Sequence, residues 1–171
     1  MQVRVATSED AEALPDLHSA AVEAFGHGHY TDEQVDDWAK RGERSADDYP
    51  VGEAGEHFTV CVVRPEDTPR DTRTATDGSR ERRGAVAGFG HLAIEERAVH
   101  AVYVHPDHAR AGVGSALLAE LEGFARGQGI EALSLQSSLN AVGFYERSGY
   151  ERVEDGESPG GLPVIEMRKR L

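Results

Sequence analysis

The sequence predicts an α/β fold in which strands outnumber helices, and three observations carry that reading. Residues 58–63 and 84–94 are β-branched runs that read as two buried strands paired in a hairpin. Val113, Leu117, Leu118, Leu121, Phe124 and Ala125 form one apolar stripe at helical spacing, and the glycines at 127 and 129 end it. A further strand at 97–104 enters that helix through a glycine-containing turn.

The remaining elements follow in order. Residues 3–6 alternate as a short strand, and Thr7-Ser8-Glu9-Asp10 offers cap residues before an apolar-periodic helix over 11–25. Leu14, Leu17, Ala21 and Phe25 share one face, and Pro15 sharpens or breaks the first turn. Residues 26–30 interrupt the pattern, and Thr31-Asp32-Glu33-Gln34 starts a second helix carrying Val35, Trp38 and Ala39. Residues 64–83 are rich in Asp, Thr, Arg and Pro and nearly free of large apolar side chains, so they predict a mobile excursion from the hairpin. In 97–104, strict alternation puts His100, Val102 and Val104 on one face and Ala101 and Tyr103 on the other. A strand at 132–136, a short helix at 141–147 closed by Gly149, and strands at 150–153 and 163–168 complete the chain.

At 171 residues the chain fits one domain, residues 1–171. No stretch approaches the roughly 18 apolar residues of a membrane span, and the N-terminal residues lack a basic region followed by an apolar run. A cytoplasmic protein without a membrane partner is therefore expected. Cys61 is the single cysteine, which excludes an intramolecular disulfide and disfavours a thiolate metal cluster. The formal charge is -13, and only Lys40 and Lys169 are lysines. Such a surface repels phosphate backbones and disfavours nucleic acid, since Arg80, Arg82 and Arg83 read as a solvated loop. Acidic, lysine-poor chains are typical of salt-accumulating microbes. In molar salt the Debye length is about 3 Å and carboxylate repulsion is screened.

The turn Val104-His105-Pro106-Asp107-His108-Ala109-Arg110-Ala111-Gly112-Val113-Gly114-Ser115 carries the chemistry. Glycines 112 and 114 permit close approach, and the free amides of a first helical turn favour an anion such as a diphosphate. By itself the pair is as readily a helix cap that packs closely. A dinucleotide fingerprint would want a glycine where Leu117 stands, and a nucleotide phosphate loop a lysine where Ser115 stands. His105 and His108 lack further clustered ligands, so no metal is expected.

Residues 102–118 resemble the GNAT superfamily of N-acetyltransferases, whose strand-Val-x-Pro-loop-(Gln/Arg)-x-x-Gly-x-(Gly/Ala)-helix motif holds the pyrophosphate of acetyl-CoA. Ala109 stands at the Gln/Arg place, with Arg110 next to it. Residues 137–150 are similar to a second family element, Asn-x-x-Ala-x-x-(Phe/Leu)-Tyr-x-x-x-Gly-(Phe/Tyr). Ser138 takes the Asn place there, and Ala141, Phe144, Tyr145, Gly149 and Tyr150 match.

The resemblance implies a mixed, mostly antiparallel sheet flanked by helices, with a V-shaped splay between two central parallel strands. It implies acetyl-CoA as cosubstrate, held by Val102, Tyr103, Val104, Ala109, Arg110, Ala111, Gly112, Val113, Gly114, Ser115, Asn140 and Tyr145. It further implies direct attack by a primary amine, small molecule or peptide, in a ternary complex, with Tyr145 protonating the CoA thiolate. His100 is a candidate base by its intrinsic pKa and by similarity to a branch of the family, and Glu96, with Glu95, is a rival strand-end carboxylate. Each is equally a packed or surface residue. His18, His27, His29, Tyr30 and Trp38 fall in or between the first two helices, which wall the acceptor pocket in the family, or else serve packing. A non-catalytic acyl-CoA sensor is the alternative reading, and a homodimer is compatible with either.

Overall fold

The computed structural model describes residues 1–64 and 84–171. The expected excursion at 64–83 therefore lies outside the described residues, Arg64 apart. Seven described strands, β1 (Gln2–Val5), β2 (Glu56–Val63), β3 (Ala85–Ala93), β4 (Ala98–Val104), β5 (Ala132–Ser138), β6 (Glu151–Glu157) and β7 (Pro163–Arg170), make one sheet. Their spatial order is β1-β2-β3-β4-β5-β7-β6. Every neighbouring pair is antiparallel except β4 and β5, which run parallel. Helices α3 (Val113–Gly127) and α4 (Val142–Arg147) cover one face, and α1 (Leu14–Gly26) and α2 (Asp32–Ala39) the other.

Period-two alternation in β2 explains the two layers. Phe58, Val60 and Val62 pack with Leu14 and Leu17 of α1, while Cys61, between them, packs with Val113 and Leu117 of α3. The α3 stripe is deeply buried: Leu117, Leu118 and Leu121 are each at most 2% exposed, and each contributes roughly 1.5–3 kcal/mol by leaving water. Gly88 and Gly90 of β3 make that docking possible. A Cβ at 88 would stand 2.9 Å from Val113 Cγ1, and one at 90 would stand 2.9 Å from Leu121 Cδ1.

Local chemistry sets the helix ends. Asp10 takes two bonds from the Arg4 guanidinium and others from the Thr7 amide and hydroxyl, and a short 3-10 turn from Asp10 to Ala13 precedes α1. Pro15 sits at the start of α1, where its missing N–H costs nothing. The expected helix over 11–25 is thus a 3-10 turn followed by an α-helix. Thr31 and Gln34 form the expected capping box of α2, which contributes about 1 kcal/mol.

Two irregularities of β4 shape the molecule's centre. The β3–β4 register shifts between His91 and Leu92, so that Ala101 faces His91 and Val99 faces Leu92, leaving His100 as the extra residue of a β-bulge. Strict alternation therefore fails at His100. Val99 and Val102 both pack into the α3-side core, while the His100 ring meets His91 edge-on at 5.1 Å, and His91 stacks on Phe58 of the α1 side. His100 shares a face with Ala101 and Tyr103, not with Val102 and Val104 as expected. The second irregularity is that β4 pairs with β5 only at Ala98–Ser134 and Val99–Leu135, although both strands continue. Beyond Val99 the two diverge, which is the expected splay.

Among the described residues, no helix is long and apolar enough to cross a membrane.

Candidate active site

The divergence of β4 from β5 opens the sheet, and a cavity lies on either side of the opening. Strand alternation orients the β4 backbone there. The His105 amide donates to the Ala87 carbonyl on β3 at 2.8 Å, so the N–H groups of Val104 and Val102, one and three residues earlier, face away from β3 into the gap.

The first cavity, of about 720 Å³, runs from Val102, Tyr103 and Val104 to the start of α3. Ala109, Arg110, Gly112, Val113, Gly114 and Ser115 line it, as do Ser138 and Asn140; Ala111 belongs to the same turn without lining the cleft. Gly112 holds the left-handed conformation at φ 81°, and nothing stands within 4 Å of where its Cβ would be. The first turn of α3 carries no acidic side chain, and the Gly112 carbonyl already accepts from Ala116, so the amides just ahead point outward. Asn140 Oδ1 is buried without a hydrogen-bond partner. Open backbone amides at a helix start and an unpaired acceptor on a residue of the same cleft wall suit a diphosphate joined to an amide-bearing arm. The donor set thus fits coenzyme A.

The second cavity, of about 1100 Å³, lies on the α2 side of the gap, and Tyr103 and Ser138 line both cavities. His100 and Glu96 form part of its wall, with His100 Nε2 at 2.7 Å from Glu96 Oε2. Tyr30 and Trp38 line it too. The Tyr30 hydroxyl donates to the Pro163 carbonyl at 2.6 Å and accepts from the Leu139 amide at 3.0 Å, tying the α1–α2 connection to β7 and the end of β5. Trp38 Nε1 donates to the Tyr103 hydroxyl at 3.2 Å. His29 instead lines the first cavity, and His27 is exposed beside Asp32. His18 is buried edge-on against Tyr103 at 4.6 Å, and burial, with the Arg44 charge adding to it, holds its imidazole down to about 4.

Tyr145 belongs to the α3-side core, between Phe144 and Tyr150, and lines neither cavity. Burial, with the nearby Tyr103 phenol adding to it, pushes its own phenol upward, so it is fully protonated at neutral pH. Cys61 is fully buried, and burial raises its thiol. Among the described residues, no three His, Cys, Asp or Glu side chains are placed to hold a metal ion.

Several wall residues had no signal in the sequence. Ala21, Val22 and Phe25 of α1 line the first cavity because that helix ends over the splay. Arg147 joins them from α4, one turn beyond Phe144, a pairing that helical spacing could have suggested. Lys40, Arg44 and the 158–161 turn reach the second cavity only through tertiary packing.

Known proteins agree with this geometry. Residues 27–171 match the acetyltransferase (GNAT) domain family. A Bacillus subtilis (strain 168) protein named as an acetyltransferase is 30% identical over 81 residues, 47% of this chain and 52% of its own length, so the chain spans about half of that relative. A GCN5-related N-acetyltransferase structure from Rhodopseudomonas palustris superposes with a TM-score of 0.80 at 23% identity, covering 99% of this chain and 95% of the other. The PaiA N-acetyltransferase of Thermoplasma acidophilum, solved with coenzyme A, superposes at 0.69 with 19% identity over the whole of both chains. With the family match spanning most of its length and the β4–β5 splay in place, the chain belongs to the GNAT acetyltransferase family.

Proposed function

We propose that residues 1–171 form one catalytic unit that transfers the acetyl group of acetyl-CoA to a primary amine in a ternary complex. The observation that carries this reading is that two cavities open on the same gap and share Tyr103 and Ser138, which gives donor and acceptor separate approaches to one point.

The backbone amides at the start of α3 hold the diphosphate, with Arg110 and Arg147 as the nearby cations. Arg110 takes the part that Ala109 cannot. Asn140 Oδ1 accepts from the pantetheine arm. The Val102 and Val104 amides polarise the thioester carbonyl and stabilise the oxyanion that develops on attack. His100, oriented by Glu96, accepts the amine proton; if Nε2–H donates to Glu96, the lone pair for that proton is on Nδ1. The new N–C bond forms as the C–S bond breaks, and the thiolate takes a proton from the Tyr145 phenol once its ring shifts out of the α3-side core toward the gap. Cys61, sealed in the core, takes no acetyl group.

One observation favours the rival reading of a non-catalytic acyl-CoA sensor, which is the placement of Tyr145 outside both cavities. Amine-dependent release of free coenzyme A separates the two. The acidic, lysine-poor composition supports a salt-rich cytoplasm as the working medium, so the assay is run in dilute buffer and in multimolar KCl. Release across an amine panel supports transfer. Thermal stabilisation by acetyl-CoA without release supports the sensor.

A further inference from the structure

The wall of the second cavity holds a cation that the transfer chemistry leaves unused. Arg44 lines that cavity beside Lys40, and its Nε is buried without a hydrogen-bond partner. His18 Nδ1 is also buried without a partner, and the Tyr49 hydroxyl interacts with the Arg44 guanidinium. Rings connect them: His18 meets Tyr103 at 4.6 Å, Tyr103 meets Phe89 at 5.4 Å, and Phe89 meets Tyr49 at 5.7 Å. Arg44 and Tyr103 line the same cavity, and the Arg44 charge acts on His18, Tyr49 and Tyr103 alike.

The chain has 31 acidic residues against 18 basic ones, and Arg4, Arg41, Arg126, Arg152 and Lys169 all have carboxylate partners. No carboxylate pairs with Arg44 among the described residues. A half-buried guanidinium without a carboxylate partner, on the wall of a cavity open to a ligand, is matched by a planar monoanion. The rest of the wall sets the ligand's overall charge. Asp37, Glu96 and Glu166 face the same space, and they disfavour a dianion while welcoming an ammonium group.

We propose that Arg44 anchors a carboxylate carried by the acceptor, so that the acceptor is an amino-acid-like zwitterion rather than a diamine or an aminosugar. This rests on the second cavity being the acceptor side. The carboxylate sits at the Arg44 end and the amine at the His100–Glu96 end of one cavity.

The test compares free amino acids with their carboxamides and their decarboxylated amines, by coenzyme A release at saturating acetyl-CoA. A charge-assisted, two-point contact predicts that kcat/KM for the amino acid exceeds that of the matched carboxamide by about tenfold or more. Arg44→Gln collapses this ratio toward one, mainly by raising KM for the amino acid, and Arg44→Lys restores part of it. Should Arg44→Gln fail to fold by circular dichroism, the wild-type ratio alone decides. Equal or better turnover of carboxamides, diamines or aminosugars overturns the inference and leaves acetyl transfer standing. Turnover of no amine, with acetyl-CoA binding demonstrated by calorimetry, overturns both.

Discussion

His100 Nε2 and Glu96 Oε2 stand 2.7 Å apart on the wall of the acceptor-side cavity, one on β4 and one in the turn that precedes it. A carboxylate held against one imidazole nitrogen fixes which nitrogen carries the proton and leaves the other to take one. The β-bulge makes the pair useful, because it turns His100 to the face that carries Tyr103 and the cavity.

Replacing His100 by Gln therefore lowers kcat by about 10²–10⁴-fold with little change in the affinity for acetyl-CoA. Glu96→Gln lowers kcat by a smaller factor, about tenfold, and the double variant is no worse than His100→Gln alone. Steady-state kinetics on the three variants checks this. Additive losses would show that the two side chains act separately.

Gly112 is both left-handed and open to the cleft, so two penalties fall on its replacement. Gly112→Ala weakens acetyl-CoA binding modestly, through backbone strain of about 1 kcal/mol. Gly112→Glu adds a carboxylate where the diphosphate lies, and calorimetry should detect no acetyl-CoA binding. Undiminished affinity in the Glu variant would move the cosubstrate elsewhere.

Tyr145→Phe slows turnover while leaving acetyl-CoA affinity intact, since only the proton donor is lost and the ring keeps its contacts with Phe144 and Tyr150. Stopped-flow and equilibrium binding on the same preparation separate the two effects. Unchanged turnover removes Tyr145 from the mechanism and leaves it a core aromatic.

His18 predicts a pH dependence of stability. Its native imidazole is held down to about 4, against about 6.5 when unfolded, so between those values the unfolded chain binds a proton that the native one does not. Stability contributed by the neutral, buried ring is fully present above pH 6.5 and is lost as pH falls toward 4, a change on the order of 3 kcal/mol. His18→Leu flattens this part of the profile. Denaturant unfolding of both proteins across that range measures it, and parallel profiles would contradict it.

Most of this architecture was legible in the residues themselves. The α3 stripe, the Thr31–Gln34 capping box and the hairpin of β2 and β3 rest on local periodicity and cap chemistry, which the sequence carries directly. The turn 104–115 was legible through its resemblance to the family's motif, since its glycine pair alone reads as readily as a helix cap. The bulge at His100 was not, since nothing local marks where a strand gains an extra residue; the register shift opposite His91 and Leu92 creates it. Nor was Arg44, which stands in a polar stretch between helix and strand and reaches the cavity only once α2 packs on β4.

The central claim is that acetyl passes directly from thioester to amine across the gap between β4 and β5. Initial rates of coenzyme A release, measured over a grid of acetyl-CoA and amine concentrations, test it most directly. The account predicts amine-dependent rates whose double-reciprocal lines intersect. Parallel lines accompanied by an acetylated protein, or release that ignores the amine altogether, would contradict it.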